Sequence, residues 1–154
     1  GENPRRRSLY TFWRRISAPP MFFDSAKREV CEVGNSITNS PLHALSTLND
    51  PLYVEASRAL TARAVAESSA DPAEALTRAF LIVQARPPSP DELTILLSNY
   101  DTAKALFTEA PQDAEAFLAI GESPRHPDLA PITHAALTSI CLSILNTDEA
   151  LTKE

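Results

Sequence analysis

Proline most constrains how this chain can fold, because its 13 prolines stand mostly between segments with helical periodicity. Asn49-Asp50-Pro51, Asp71-Pro72 and Ser89-Pro90 each place a polar capping residue directly before a proline. Such pairs start helices, since proline suits the first helical turn and the capping side chain accepts a free backbone N–H. The chain has only 3 glycines among 154 residues, so little interrupts the segments in between. The pattern predicts a series of helices joined by short loops.

Apolar residues recur at helical spacing within these segments. The first predicted helix runs from Pro4 to Ile16 and is flanked by arginines. A short helix begins at Pro41, capped by Asn39 or Ser40, and a longer one runs from Pro51 to about Ser68. Further helices start at Pro72, Pro90, Pro111 and Pro131, and Gly121 is expected at the C′ position after the fifth bundle helix. The apolar residues of these helices are, in chain order, Leu9, Phe12, Trp13 and Ile16; Leu42, Leu45 and Leu48; Leu76, Ala79, Phe80 and Val83; Leu93, Leu96, Leu97, Tyr100, Ala103 and Phe107; Phe117 and Leu118; and Leu137, Ile140, Cys141, Ile144 and Leu145.

The predicted fold class is all-α, an irregular bundle of six or seven antiparallel helices with one long irregular segment near the N-terminus. Residues 1–154 are expected to form a single helical domain. It divides into a basic amphipathic helix (1–16), an irregular segment (17–40), a helical bundle (41–146) and a tail (147–154). Segment 17–40 has no helical period, and Val30-Cys31-Glu32-Val33 alternates only weakly, like a short strand. An unstructured stretch of this length is uncommon inside a compact domain and is often functional.

Charge is segregated along the chain. The net charge is −6, yet residues 1–28 hold seven bases and two acids, a net +5, so the remainder carries −11. A basic head predicts docking on an acidic surface, including the chain's own body, although a solvated helix face is the plainer interpretation. Nucleic acid is not an expected partner, because the acidic remainder would repel phosphates. No apolar run approaches about 18 residues, so no membrane span is predicted, and residues 1–7 do not resemble a signal peptide.

Few residues indicate chemistry. Cys31 and Cys141 have neither haem nor zinc spacing; Cys141 is expected to be a buried, inert thiol, and a disulfide between the two remains the alternative. His126 with Asp128 and His134 is a weak metal pattern, so no metal site or cofactor is predicted, and His134 is expected to be packed or exposed. There is no glycine-rich phosphate loop and no G-x-S-x-G motif. No catalytic residue is therefore assigned, and an active site within this chain alone is not expected.

Several short blocks resemble one known family. The chain resembles the C-terminal region of the planctomycete domain of unknown function 1553, a cytochrome-c-associated domain. The resemblance covers nearly the whole chain. It rests on Arg6-Arg7-Ser8-Leu9-Tyr10-Thr11-Phe12-Trp13, Phe23-Asp24, Arg28-Glu29, Cys31, Val33, Thr38-Asn39, Pro41-Leu42, Ala44-Leu45, Leu48-Asn49-Asp50-Pro51, Val54-Glu55-Ala56, Arg86-Pro87-Pro88 with Asp91-Glu92-Leu93, Gly121-Glu122-Ser123-Pro124-Arg125 and Leu145-Asn146-Thr147-Asp148-Glu149. The chain departs from the family pattern at Gly34-Asn35-Ser36, at His43, where a Gln is usual, and at His134, where a Trp is common.

The resemblance implies a helical module that ends a large secreted or envelope protein, with no established activity. The implied partners are other domains of the same or a neighbouring polypeptide, including a cytochrome-c-like one. The first hypothesis is a non-catalytic interaction or scaffold module, in which Asn39 and Asp50 cap helices and Asp24 pairs with Arg28 to hold the irregular segment. The alternative is part of a carbohydrate-binding or enzyme site that a missing upstream region completes. The candidate ligand or interface residues are Asp24, Arg28, Asn39, His43 and Asn49.

Overall fold

A computed structural model describes residues 41–68 and 71–151 of the chain. Within these ranges lie seven helices and no strand, which confirms the predicted all-α bundle. The helices are α1 (Pro41–Asn49), α2 (Pro51–Ala66), α3 (Pro72–Gln84), α4 (Pro90–Glu109), α5 (Pro111–Leu118), α6 (Pro131–Leu145) and α7 (Asp148–Leu151). The helix predicted over 1–16 and the irregular segment 17–40 lie outside the described residues. The turn of helix α7 falls within the segment 147–154 that was expected to be a tail.

Each of the first six helices begins with a proline. Asp50 caps α2 by accepting a hydrogen bond from the amide of Leu52, the second residue of the helix, at 2.8 Å, so Asp50, rather than Asn49, fills the cap position. Asp71 caps α3 by accepting from the amide of Glu74, the third residue of that helix, at 3.3 Å. Ser89 and Glu92 form a capping box at the start of α4: the Ser89 hydroxyl accepts from the Glu92 amide at 3.2 Å, and the Glu92 carboxylate accepts from the Ser89 amide at 2.6 Å. The local signals therefore start these helices as the sequence indicates.

Helix α6 lies at the centre of the bundle and contacts α2, α3, α4, α5 and α7. Its sequence predicted one buried face, but burial extends around the helix, to Ala135, Ala136 and Leu142 as well, while Leu145 is only half-buried. The reason is that helices pack on several of its sides, and a helix that is apolar all round can be surrounded in this way. The main core joins α6 to the predicted apolar residues of α3 and α4, with Leu76, Ala79 and Tyr100 fully buried.

The end of α5 differs slightly from the prediction. The last helical residue is Leu118 and the cap is Ala119, so Gly121 lies one position beyond the expected C′ site. Gly121 nevertheless takes a positive φ of 96°, the conformation for which glycine is suited. It turns the chain into the loop 119–130 that leads to α6.

Helix α1 is joined to the end of α6 through a polar residue, Thr47, and not through its leucines. Thr47 is fully buried, and its hydroxyl donates to Asn146 Oδ1 at 2.5 Å, while the Asn146 amide donates to the Ala44 carbonyl at 3.3 Å. The leucines of α1 are exposed instead: Leu42 and Leu45 each by 59% and Leu48 by 38%. The start of the bundle thus presents an apolar surface to solvent.

Candidate functional site

The structure describes only some of the five residues that were predicted to form a site. Asp24, Arg28 and Asn39 lie outside the described residues, and His43 belongs to α1 but its side chain is not among the described ones. Asn49 is exposed, and its amide donates to the carbonyl of Leu45 at 2.7 Å, within its own helix. Asn49 is therefore used at the end of α1, and the described part of the chain does not bring it together with a second candidate.

A buried arginine forms the most developed polar site in the described residues. Arg58 of α2 is 3% exposed. Its guanidinium donates to the carbonyl of Leu118, to that of Ile120 at 2.7 Å and to that of Ser123 at 2.5 Å. The carbonyls at a helix C-terminus lack helical partners and carry the negative end of the helix dipole. Arg58 thus satisfies the end of α5 and the first turn of the loop that follows it.

Glu55, one turn earlier on α2, binds the same loop. Its carboxylate accepts the amide N–H of Glu122 at 2.8 Å and the hydroxyl of Ser123. A Cβ added to Gly121 would lie 2.5 Å from Glu55 Oε2 and 2.9 Å from its Cβ. Glycine is needed there for space as well as for its positive φ. We call Glu55, Arg58 and the loop residues 118–123 that they bind the loop clamp.

His134, in the first turn of α6, is completely buried near the loop clamp. Burial lowers the pKa of its imidazole below 6.5, and the positive charges of Arg58, Arg125 and His126 act in the same direction, whereas the backbone carbonyl of Arg58 acts against them. In the described part of the chain, neither ring nitrogen makes a hydrogen bond of ordinary geometry. His134 is therefore a neutral, packed side chain at pH 7.

The thiol of Cys141 is buried and free. Burial raises its pKa to about 11, which outweighs the opposing hydrogen bond with Thr61. A thiol of this kind is unreactive at neutral pH, as the sequence indicated. The alternative disulfide with Cys31 is absent, since Cys141 is free; Cys31 itself lies outside the described residues.

A second arginine links three helices at the surface. Arg86, just after α3, donates to both carboxylate oxygens of Glu92 at 2.8 and 2.9 Å and to both of Glu149 at 2.7 and 2.8 Å. Its guanidinium also lies 5.0 Å from the centre of the Phe80 ring. The hydrogen bonds from Arg86 and, to a smaller extent, the bond from the Ser89 amide lower the pKa of Glu92 to about 2. We call Arg86, Glu92 and Glu149 the surface ion network.

The contacts described above connect one part of the chain to another. Among the described residues, no cluster of three His, Cys, Asp or Glu side chains could hold a metal ion. No helix in residues 41–68 and 71–151 combines the length and apolar character needed to cross a membrane. The described part of the site can therefore hold segments of its own chain together, and that is the chemistry its geometry supports.

Sequence reasoning did not single out Arg58. A signal for it exists, because Arg58 is four residues after Val54 and three before Thr61, so all three share one face of α2. Val54 and Thr61 are both buried. A charged residue in the middle of a face that packs inward must find acceptors there, and the free carbonyls at the end of α5 are those acceptors.

Comparison with known families identifies one match. The sequence model of the family described as PSD1, Protein of unknown function (DUF1553), matches residues 1–100. No curated protein and no solved structure matches the chain. The matched residues include Glu55, Arg58 and Arg86, whereas the loop 119–130 and Glu149 lie beyond them.

Proposed function

The chain belongs to the DUF1553 family, and on that premise we propose that it is a non-catalytic scaffold module that forms the C-terminal region of a larger protein. Its proposed partners are other domains of the same or a neighbouring polypeptide, including a cytochrome-c-like one. The proposed location is extracytoplasmic: periplasmic, at the cell surface or secreted. Location and partners are supported by the resemblance of the sequence to this family.

The observation that carries the proposal is the internal use of Arg58. A guanidinium offers five N–H donors and is a common binder of carboxylates and phosphates. Here three of its hydrogen bonds go to carbonyls of its own chain, and the side chain is buried. A ligand could reach this group only after the loop clamp had opened, which favours a structural role.

The other polar contacts support the same role. Asn146 joins the end of α6 to α1, and the surface ion network joins the α3–α4 turn to α7. Each contact links residues within the matched range 1–100 to residues beyond it. We propose that these residues serve to keep distant helices in one arrangement, so that the module presents a constant surface to its neighbours.

Titration of the chain against a panel of oligosaccharides, followed by calorimetry, tests this proposal against its alternative. We expect no saturable heat, because the polar groups that could bind sugars are used within the fold. Arg58→Met should reduce stability, whereas Arg63→Met, at an exposed position on the same helix, should not. Saturable binding that is lost on substitution of His43 or Asn49 would overturn the scaffold role and favour a carbohydrate-binding site.

Co-expression provides the positive test. The chain should co-purify with the upstream region of its own polypeptide when both are produced as separate pieces in one cell. The matched control is the same upstream region expressed with the Arg58→Met variant, which should bind less because the module is less folded. Independent purification of the two wild-type pieces, with no complex, would contradict a scaffold role within that polypeptide.

A further inference from the structure

The first turns of the bundle expose four leucines. Leu42, Leu45 and Leu48 are spaced three residues apart and therefore lie within about 120° of one another around α1. Leu52, at the start of α2, is also 45% exposed. In the described part of the chain no helix covers these four side chains, which we call the leucine face. Exposed apolar side chains that lie together as a patch often mark a binding surface.

The sequence that precedes α1 contains an apolar group of matching character. Leu9, Phe12, Trp13 and Ile16 follow helical spacing and include two large aromatic side chains. Residues 17–40 separate them from α1, a stretch that could span about 80 Å if fully extended. The leucine face begins at the second residue of α1. The connection is therefore long enough to let residues 9–16 return to it without strain.

Charge favours the same pairing. Residues 1–28 carry a net +5, with Arg14 and Arg15 placed beside the apolar residues. Residues 41–151 carry 15 acidic and 6 basic residues, a net −9. The sequence around the leucine face, residues 41–55, contains Asp50 and Glu55 and no lysine or arginine. A basic, apolar segment is thus attracted to this end of the bundle, and the effect should weaken with salt.

We propose that the leucine face is the docking surface for the chain's own residues 9–16, with Phe12 and Trp13 as its anchors. This proposal goes beyond the scaffold role, because the exposed leucines would then contact a segment of the same chain and not a neighbouring domain. Aromatic anchors bury a large area and dominate the energy of such contacts. The arginines beside them remain at the rim, in reach of the acidic surface.

Trp13 is the only tryptophan of the chain, so tryptophan fluorescence reports on the surroundings of this one side chain. The test measures quenching by acrylamide, a neutral molecule that the arginines do not attract, in the full chain. In the wild-type chain Trp13 should be shielded. The double variant Leu42→Gln/Leu45→Gln leaves the charge and the helix propensity nearly unchanged, and it should increase the quenching constant about twofold because the anchor loses its apolar partners.

The matched control removes two apolar side chains that are equally exposed elsewhere. Ile95 and Leu106 of α4 are 60% and 61% exposed, and Ile95→Gln/Leu106→Gln should leave the quenching of Trp13 unchanged. Circular dichroism of both variants checks that the bundle remains helical. Higher salt should increase quenching in the wild type.

Three results would overturn the proposal. The first is a Trp13 that is fully accessible in the wild-type chain. The second is shielding that neither double variant changes, or that both change equally, since the anchor would then lie on another surface. The third is shielding that disappears on dilution together with a dimer seen by analytical ultracentrifugation, which would make a second copy the occupant. None of these readouts depends on the scaffold role, so the two proposals can fail separately.

Discussion

Arg58 and Arg86 each bind several oxygen atoms and each join helices that are distant in sequence, but their surroundings differ. Arg58 is buried and donates to three backbone carbonyls. Arg86 keeps 41% of its side chain exposed and donates to two carboxylates. The two arginines stabilise the bundle in different ways. Arg58 binds acceptors that have lost contact with water, whereas Arg86 binds charges that water and salt still reach.

Burial decides whether the hydrogen bonds of Arg58 or the ion pairs of Arg86 contribute more to stability. A buried carbonyl that loses its donor retains the full penalty of its desolvation, about 1–3 kcal/mol. An exposed ion pair that is broken regains hydration on both sides, and its contribution is small and screened by salt. The loop clamp should therefore control the stability of this bundle far more than the surface ion network does, even though the network contains more formal charges.

The largest effect is expected from Arg58→Met. Removal of the guanidinium leaves the carbonyls of Leu118, Ile120 and Ser123 without this donor, and we expect a loss of about 3 kcal/mol or more in the free energy of unfolding. Urea denaturation followed by circular dichroism measures it. Arg63→Met, on the exposed side of α2, should change the same quantity by no more than about 0.5 kcal/mol. Equal losses in the two variants would show that burial does not separate these arginines.

Gly121→Ala should have the next largest effect. The positive φ of 96° disfavours any side chain, and the added Cβ would meet the carboxylate of Glu55. We expect a loss of about 2 kcal/mol in the free energy of unfolding. In a Glu55→Ala background the contact with the carboxylate disappears while the contact with the Cβ at 2.9 Å remains, so the cost of Gly121→Ala should fall in part. A cost that is the same in both backgrounds would contradict the contact between these two residues.

The pH dependence of stability sharpens the comparison further, because His134 is packed beside the clamp. Its pKa is lowered in the folded protein, so the unfolded chain binds the proton more tightly. The contribution of the neutral His134 imidazole to the free energy of unfolding is complete above pH 6.5. It is lost as pH falls below 6.5 towards the lower pKa of the folded state. Thermal unfolding between pH 5 and 7.5 should show this loss. This loss of stability should be missing in His134→Leu and retained in His126→Leu, which alters an exposed histidine. If stability still falls with pH in His134→Leu, His134 is not its source.

The smallest effect is expected from Arg86→Met. The surface ion network is exposed, so the variant should lower the urea midpoint only slightly at low salt and not at all at high salt. Because Arg86 holds the pKa of Glu92 near 2, the variant should also raise that pKa, which NMR titration of the Glu92 carboxyl can follow. A loss as large as that of Arg58→Met would remove the distinction between the two arginines.

The candidate site was harder to predict from the sequence than the helices were. Asp50 caps α2, as the sequence predicted, whereas Asn49, predicted as a ligand or interface residue, bonds within α1. Two neighbouring polar residues compete for one cap, and the geometry of the turn selects between them. Arg58 was missed for a different reason: its partners are 60 to 65 residues away along the chain. No local pattern encodes a contact at that separation.

The sequence by itself determined where the helices begin and which of their residues are apolar, because N-caps, prolines and helical periodicity act over only a few residues. It also determined the segregation of charge along the chain. Tertiary structure alone decided that α6 is surrounded, that Arg58 and His134 are buried together, and that the leucines of α1 face outward while Thr47 faces in. The physical reason is one of range: a helix forms from neighbours in the chain, whereas burial depends on which distant helix packs against each face.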